Sequence, residues 1–408
     1  MVALLFSEVI TMIHIETSDI QFLDLMACRL GWRGVEYIKF NVSNDQGPPK
    51  QGDCYFASLN DENVPSSSRA LIEFLKSNRF SKAVIAKFGC EEFYVDATLN
   101  NSVVYVHLPA TMDTNDHLRE YYLQFLIEVL VDGLMNLPCA ETQSADIVNL
   151  LRKLAQKDIT VLVNGPTGSG KELISQLIHH HSNRREGPFI AVNCAAIPEQ
   201  MLEATLFGHE KGAFTGALQK NTGLFRAASS GTILLDEISE MPMPLQAKLL
   251  RVIQEKKVMP VGGSVETPVD VRIVATTNRD MTKEIAEARF REDLYYRLNV
   301  FPVNTVSLCD RVADLPAIVA HMLFEIEKES SKKSMIMPGV FELLSKYEWP
   351  GNVRELGNVI QRAHVLSSSQ KITPADLIFD VNSMQSSLNT AEVLAAKLKS
   401  TEVDEVQL

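Results

Sequence analysis

Nothing in this 408-residue chain pairs cysteines at the spacing of a metal site or a disulfide framework. Its six cysteines (Cys28, Cys54, Cys90, Cys139, Cys194 and Cys309) contain no CxxC and no His/Cys cluster. Zinc modules and disulfide-stapled scaffolds are therefore excluded, and reduced thiols of a cytoplasmic protein are expected. Basic charge is also short: 39 Lys and Arg face 51 Asp and Glu, for a net charge of −12. No global field draws the chain to nucleic acid or an anionic membrane, so any DNA engagement must come from a local patch or a partner. Long apolar runs are missing as well. The opening Met1-Val-Ala-Leu-Leu-Phe has no basic flank and is soon interrupted by Glu8 and Glu16, which reads as neither a signal peptide nor a membrane span. What is present, 46% hydrophobic and 22% charged residues, is ordinary for a globular protein of two or three domains.

Three regions separate by pattern. In residues 1–137, short apolar runs such as Ala83-Val-Ile-Ala and Val103-Val-Tyr-Val alternate with helical stretches, predicting an α/β module. Asn44-Asp-Gln-Gly-Pro-Pro and Pro65-Ser-Ser-Ser read as loops. Residues 121–134 are apolar all round except for Gln124, Glu128 and Asp132. They suit either a buried helix of this module or a linker helix that pairs subunits. Pro138-Cys-Ala-Glu-Thr-Gln-Ser marks a boundary. Residues 144–306 alternate strand and helix, with Thr160-Val-Leu-Val, Ile233-Leu-Leu and Val271-Arg-Ile-Val-Ala as strands of a parallel sheet. From residue 307 the pattern turns helical, with segments at 316–328, 338–346, 351–366 and 374–379. Residues 381–408 are a short polar tail in which 391–399 suits one helix, too little for a helix-turn-helix reader.

The chemistry lies in the middle region. Gly165-Pro166-Thr167-Gly168-Ser169-Gly170-Lys171 follows a strand and opens a helix. Its glycines let backbone N–H groups converge on phosphate oxygens, and Lys171 is placed to reach the β- and γ-phosphates of ATP. Position 172 is Glu, so the usual hydroxyl ligand to Mg²⁺ is missing. Asp236 and Glu237 end an apolar strand, where the Asp suits Mg²⁺ and the Glu suits the attacking water. Asn278 ends another strand and is placed to orient that water. Arg291 and Arg297 lie six apart, with carboxylates between them. They read either as a surface ion-pair helix or as fingers inserted into a neighbouring subunit's site. Arg354, after a Pro-Gly turn, suits a reporter of nucleotide state. Between the two halves of this site lies Gly212-Ala213-Phe214-Thr215-Gly216-Ala217, apolar at its tip and hinged by glycine. It has no evident role in holding ATP, and reads as an ATP-driven loop that touches another macromolecule.

Lys171, Asn193-Cys-Ala-Ala-Ile-Pro198, Leu206-Phe-Gly-His-Glu-Lys-Gly-Ala-Phe-Thr-Gly-Ala217, Leu234-Leu-Asp-Glu-Ile, Phe290-Arg-Glu-Asp-Leu-Tyr-Tyr-Arg-Leu-Asn-Val and Trp349-Pro-Gly-Asn-Val-Arg-Glu-Leu resemble the AAA+ domain of the bacterial enhancer-binding proteins, the activators of sigma-54 RNA polymerase. The resemblance covers residues 144–380 and implies an α/β AAA+ core, a parallel sheet with flanking helices, and a helical lid at 307–380. Residues 1–137 resemble a receiver only in their α/β alternation, with Asp61 the nearest candidate for a phosphorylatable Asp. The resemblance further implies a hexameric ring with Arg291 and Arg297 acting in trans. Phe214 and Thr215 become the tip that engages sigma-54 when ATP is bound, Asn193 the residue that holds Glu237 inactive until the loop rises, and 258–271 a second surface hairpin. A glutamate at 172 is usual in this family.

The chain departs from the family at Thr205, where Glu is usual, at Ala288, where Gly is usual, and at Leu308-Cys309-Asp310-Arg311, where Leu-Arg-Glu-Arg is usual. The family's C-terminal Fis-like helix-turn-helix is not expected here. The expectation is therefore an activator of sigma-54 holoenzyme without direct sequence-specific DNA binding, acting from solution or in mixed rings, with flagellar gene control as its pathway. A non-catalytic modulator of a DNA-binding paralogue is the alternative.

Overall fold

The computed structural model describes residues 12–16, 19–39, 53–59, 64, 68–98, 102–110, 116–214, 217–329, 333–367 and 370–379. They fall into two compact units: residues 1–146 together with 311–408, and residues 147–310. The lid segment thus shares a unit with the N-terminal segment, not with the nucleotide-binding core.

The first unit begins with β1 (Ile13–Glu16), α1 (Ile20–Arg33), β2 (Tyr37–Lys39), β3 (Cys54–Ser58), α2 (Ser68–Ser77), β4 (Lys82–Cys90), β5 (Tyr94–Thr98), β6 (Val103–Pro109) and α3 (Asp116–Leu130). The strands form one sheet in the order β2-β1-β3-β4-β6-β5. All neighbours are parallel except β5, which runs antiparallel to β6. β3 is buried at every position, as expected of a parallel strand covered on both faces. α1 starts where the Asp19 side chain accepts from the Phe22 N–H at 3.0 Å and stops where Gly34 turns left-handed. Between β4 and β6 the chain makes strand β5 in place of a crossover helix, so the likeness to a receiver is partial. At the end of β1, Glu16 accepts from the Tyr55 hydroxyl at 2.6 Å, and His14 lies 2.9 Å from Asp53. Asp61 lies outside the described residues, as do the loop at 44–49 and the opening segment.

The second unit takes in most of α4 (Thr142–Ala155), then β7 (Val161–Asn164), α5 (Lys171–His180), β8 (Phe189–Asn193), α6 (Glu199–Phe207), α7 (Leu224–Ala227), β9 (Thr232–Asp236), α8 (Met243–Glu255), β10 (Lys257–Val258), β11 (Thr267–Pro268), β12 (Arg272–Thr277), α9 (Met281–Ala286), α10 (Glu292–Leu298) and β13 (Phe301–Asn304). Five strands make a wholly parallel sheet in the order β13-β7-β12-β9-β8. β10 and β11 pair as a small antiparallel hairpin. Leu235, Ile273, Ala275, Phe207, Phe225 and Leu249 pack one core beside the sheet. The buried Arg272 guanidinium donates to the Leu154 and Ala155 carbonyls at 3.1 and 2.9 Å, a cation placed where a helix end exposes unpaired acceptors.

The remaining elements, α11 (Leu315–Glu329), β14 (Met335–Ile336), α12 (Val340–Lys346), α13 (Asn352–Leu366) and β15 (Lys371–Ile372), belong to the first unit. α3 lies along α11, with the Phe125 and Phe324 rings edge-to-face at 5.7 Å and the Tyr122 hydroxyl donating to the Ile336 carbonyl at 3.3 Å. Buried Arg33 donates to Glu128, to Gln124 at 2.5 Å and to Asn136 at 3.1 Å, and the far Glu128 oxygen lies 3.0 Å from His321 Nδ1. Of the two readings of 121–134, α3 fits the buried helix, since its residues from Tyr121 to Leu130 are all covered within the unit. The helix expected at 374–379 is only a single tight turn, Pro374–Asp376. There Asp376 reaches back to the Thr373 N–H and hydroxyl at 2.8 and 2.7 Å, closing the turn after three residues. Residues 381–408 lie outside the described residues. All six cysteines are unbridged, and no helix among the described residues is long and apolar enough to cross a membrane.

Candidate nucleotide site

The site of the second unit sits at the carboxyl ends of its strands, where parallel α/β sheets place ligands. The loop of residues 165–170 leaves β7 and enters α5. Gly165 and Gly170 carry φ of 152° and 98°, backbone that side chains rarely adopt. A Cβ on Gly165 would also lie 1.8 Å from Thr305 Oγ1, so only glycine fits there. The Gly165 N–H donates to the Thr277 carbonyl at 3.2 Å. Ser169 Oγ donates to the Pro166 carbonyl at 2.8 Å and lies 2.6 Å from Thr305 Oγ1. The loop is therefore pinned from β12 and from the end of β13. Lys171 is buried, and its ammonium donates to the Gly165 and Pro166 carbonyls at 3.0 and 3.1 Å, 3.9 Å from Glu237 Oε1. Thr167 accepts from the Asn278 amide at 2.9 Å, which brings the water-orienting candidate to the loop. Gly168 has φ of 76°. Glu172 points to solvent from the first turn of α5.

β9 delivers Asp236 and Glu237. Asp236 Oδ1 accepts from the Thr276 hydroxyl at 2.5 Å, and Oδ2 accepts from the Asn193 amide at 2.9 Å. Here the structure departs from the expectation for Asn193, whose amide holds Asp236 and not Glu237. The registers Asn193↔Asp236 on β8 and β9 put the two side by side, while Glu237 has turned away with φ of 52°. Asn193 Oδ1 accepts from the Ala195 and Ala196 N–H groups at 2.9 and 3.1 Å. Glu237 Oε2 is covered and has no hydrogen-bond partner among the described residues. Burial, together with the negative charges of Asp236 and Glu237, pushes the nearby Cys194 thiol up to about 12, so it stays an inert thiol.

In the loop of residues 212–217, Gly212 and Phe214 are exposed, Ala213 is half-buried and Ala217 is buried. The Gly212 N–H donates to the Ala217 carbonyl at 2.8 Å and the Ala217 N–H to the Phe214 carbonyl at 3.0 Å. Phe214 is 45% exposed, and its ring meets that of His209 edge-on at 4.9 Å. Ala213 lies against Gly262 of the β10–β11 connection. Thr215 and Gly216 lie outside the described residues. The loop's base is fixed by backbone bridges of His209 to Asn221 and to Val261. This tether does not use the side chain at Thr205, where the family's Glu is replaced.

Arg291 is engaged by Asp293 at 3.0 and 2.7 Å, and Arg297 is exposed on α10 beside Tyr296 and Val300. Neither contacts the phosphate loop within the chain. Ala288 carries φ of 54°, which explains physically why Gly suits that position. Cys309 lies exposed in a short turn, 3.0 Å from Ser307 Oγ. Arg354 is exposed on α13, in the first unit. Sequence reasoning missed Thr276 and Thr305. Thr276 had a signal, since it lies two residues before Asn278, near the end of β12. Thr305 had none, because its contact depends on β13 lying beside β7.

A phosphate-binding loop at a helix start, faced by carboxylates from a neighbouring strand end, is the layout of an ATPase of the AAA+ class. Residues 138–304 match the family described as Sigma-54 interaction domain, and residues 309–393 that described as AAA+ ATPase lid domain. The chain belongs to this family, that of the bacterial enhancer-binding proteins. It is 50% identical over 238 residues to the response regulator protein FleR of Pseudomonas aeruginosa, covering 58% of this chain and 50% of FleR. It is 46% identical over 228 residues to the DNA-binding transcriptional regulator NtrC of Rhizobium meliloti, covering 56% of this chain and 47% of NtrC. The chain thus spans about half the length of the curated relatives it matches. Among solved structures, NtrX of Brucella abortus in complex with ATP aligns with a TM-score of 0.56 and 27% identity, over 90% of this chain and 86% of that one.

Proposed function

We propose that the chain hydrolyses ATP and uses the energy to remodel the closed promoter complex of sigma-54 RNA polymerase through the loop at residues 212–217. In this reading the loop of residues 165–170, through its backbone N–H groups beyond Pro166, and Lys171 hold the phosphates. The water oxygen bonds to the γ-phosphorus as the bond to the β,γ-bridging oxygen breaks, Glu237 takes the water's proton, and ADP and phosphate leave. Mg²⁺ would travel with the nucleotide and neutralise phosphate charge. Asp236 is the hard carboxylate suited to hold it, and its Oδ2 partner Asn193 is itself exposed. Asn278 orients the water. Arg291 and Arg297 act in trans to complete the site of the next subunit in a hexameric ring, and Arg354 reports nucleotide state to the lid.

The observation that carries this reading is the short route from the acids to the loop. Asn193 joins Asp236 to the Ala195 and Ala196 N–H groups, and one helix, α6, then leads to the exposed Phe214. Flagellar genes are the proposed targets and the cytoplasm the proposed site of action. The test is a sigma-54 transcription assay with purified protein, on templates with and without upstream sites, with and without DNA-binding paralogues. Lys171→Ala should lose ATP binding. Thr215→Ala should keep turnover within about threefold and lose activation, and normal activation by that variant rejects the loop's role.

A further inference from the structure

We propose that Thr276 is a positioning residue that sets both carboxylates of the hydrolytic site through one hydroxyl; this role rests on the ATP-hydrolysis reading above. Thr276 Oγ1 donates to Asp236 Oδ1 at 2.5 Å and accepts the Glu237 N–H at 3.1 Å. The side chain is fully buried, and its branch at Cβ restricts the rotamer. It stands on β12, the central strand of the five, paired on one side with β7 and on the other with β9, so its backbone is held from both sides.

Glu237 needs that constraint. Its φ of 52° lies in the left-handed region, which a side chain as long as glutamate enters only when neighbours over-determine it. The Thr276 hydroxyl is the acceptor that receives the Glu237 N–H, and so fixes the peptide plane from which the carboxylate projects. Asp236 is held differently on its two oxygens. Oδ1 meets the buried Thr276, whereas Oδ2 meets the exposed Asn193. When Asn193 lets go, Thr276 keeps the carboxylate plane in place. Asn193 is thus the partner free to move with the loop, and Thr276 the fixed one.

Thr276→Val keeps the shape and removes both hydrogen bonds; Thr276→Ser restores them. Steady-state ATPase assays of the full chain should show kcat reduced about 100-fold in the Val variant, the scale expected of a displaced reacting group. KM for ATP and the affinity for ADP should stay within about threefold, and the Ser variant should return to within about threefold of wild type. Should the Val variant fail to fold, as judged by its melting profile, Thr276→Ala carries the same test. Turnover by wild type with an unchanged kcat in the folded Val or Ala variant overturns this role alone. A loss of nucleotide affinity matching the loss of kcat overturns it too, since that marks a merely structural part. No turnover by wild type overturns the hydrolysis reading and this role with it.

Discussion

Glu128→Gln should destabilise the first unit by about 3 kcal/mol, because it leaves the Arg33 guanidinium buried without its counter-charge. The side chain of Arg33 is 0% exposed and that of Glu128 3%. The remaining partners of Arg33 are the neutral oxygens of Gln124 and Asn136, which accept hydrogen bonds from it but carry no compensating charge. Truncating one member of a buried pair costs about 3–5 kcal/mol, and the lower end applies here because a Gln oxygen still accepts. The chain's only tryptophans, Trp32 and Trp349, both belong to the first unit, so tryptophan fluorescence reports its unfolding by itself. With a urea slope of about 3 kcal/mol/M, the midpoint should fall by about 1 M. Arg33→Met should cost a similar amount. The double variant should cost less than the two singles together by at least about 1.5 kcal/mol, since removing one charge relieves the other. Costs that simply add would refute the argument. The acid limb gives a second check. Burial raises the Glu128 carboxyl, but Arg33 and His321 outweigh it and hold the group below its ordinary 4.5. Its contribution is therefore present above pH 4.5 and lost as pH falls through the lower folded value. The Gln variant should lack that part of the acid limb.

Glu327→Gln should act in the opposite sense. Burial pushes Glu327 up to about 7, against a weaker pull from Lys333, so wild type loses stability as pH rises from about 4.5 to about 7 and the Gln variant does not. Urea midpoints read by tryptophan fluorescence should match near pH 4.5, with the variant more stable at pH 8 by on the order of 2–3 kcal/mol; a smaller gap at pH 8 than at pH 4.5 refutes this. Ala288→Gly should relieve the left-handed strain at φ of 54° and stabilise the second unit by about 0.5–1 kcal/mol, after the entropy that glycine adds to the unfolded chain. A calorimetric melt should shift upward by about 2–4 °C, and a downward shift contradicts it.

The phosphate loop, the Asp236-Glu237 strand end and the βα alternation around them were legible in the residues alone. These signals are local, because a glycine demanded by positive φ or a carboxylate ending an apolar strand is fixed by its own few neighbours. The exposed Phe214 loop was legible for the same reason. Tertiary structure alone decided that Asn193 bonds Asp236 and not Glu237, since the pairing depends on the register of β8 against β9. It alone put the Thr305 hydroxyl on Ser169, 136 residues away, and joined Arg33, Glu128 and His321 across separations of 95 and 193 residues. It also placed β5 where βα alternation predicts a helix, and laid α11 along α3 so that the lid segment joins the N-terminal unit. An apolar face specifies that it must be covered but not by which partner, and that choice is made by the packing of the whole unit.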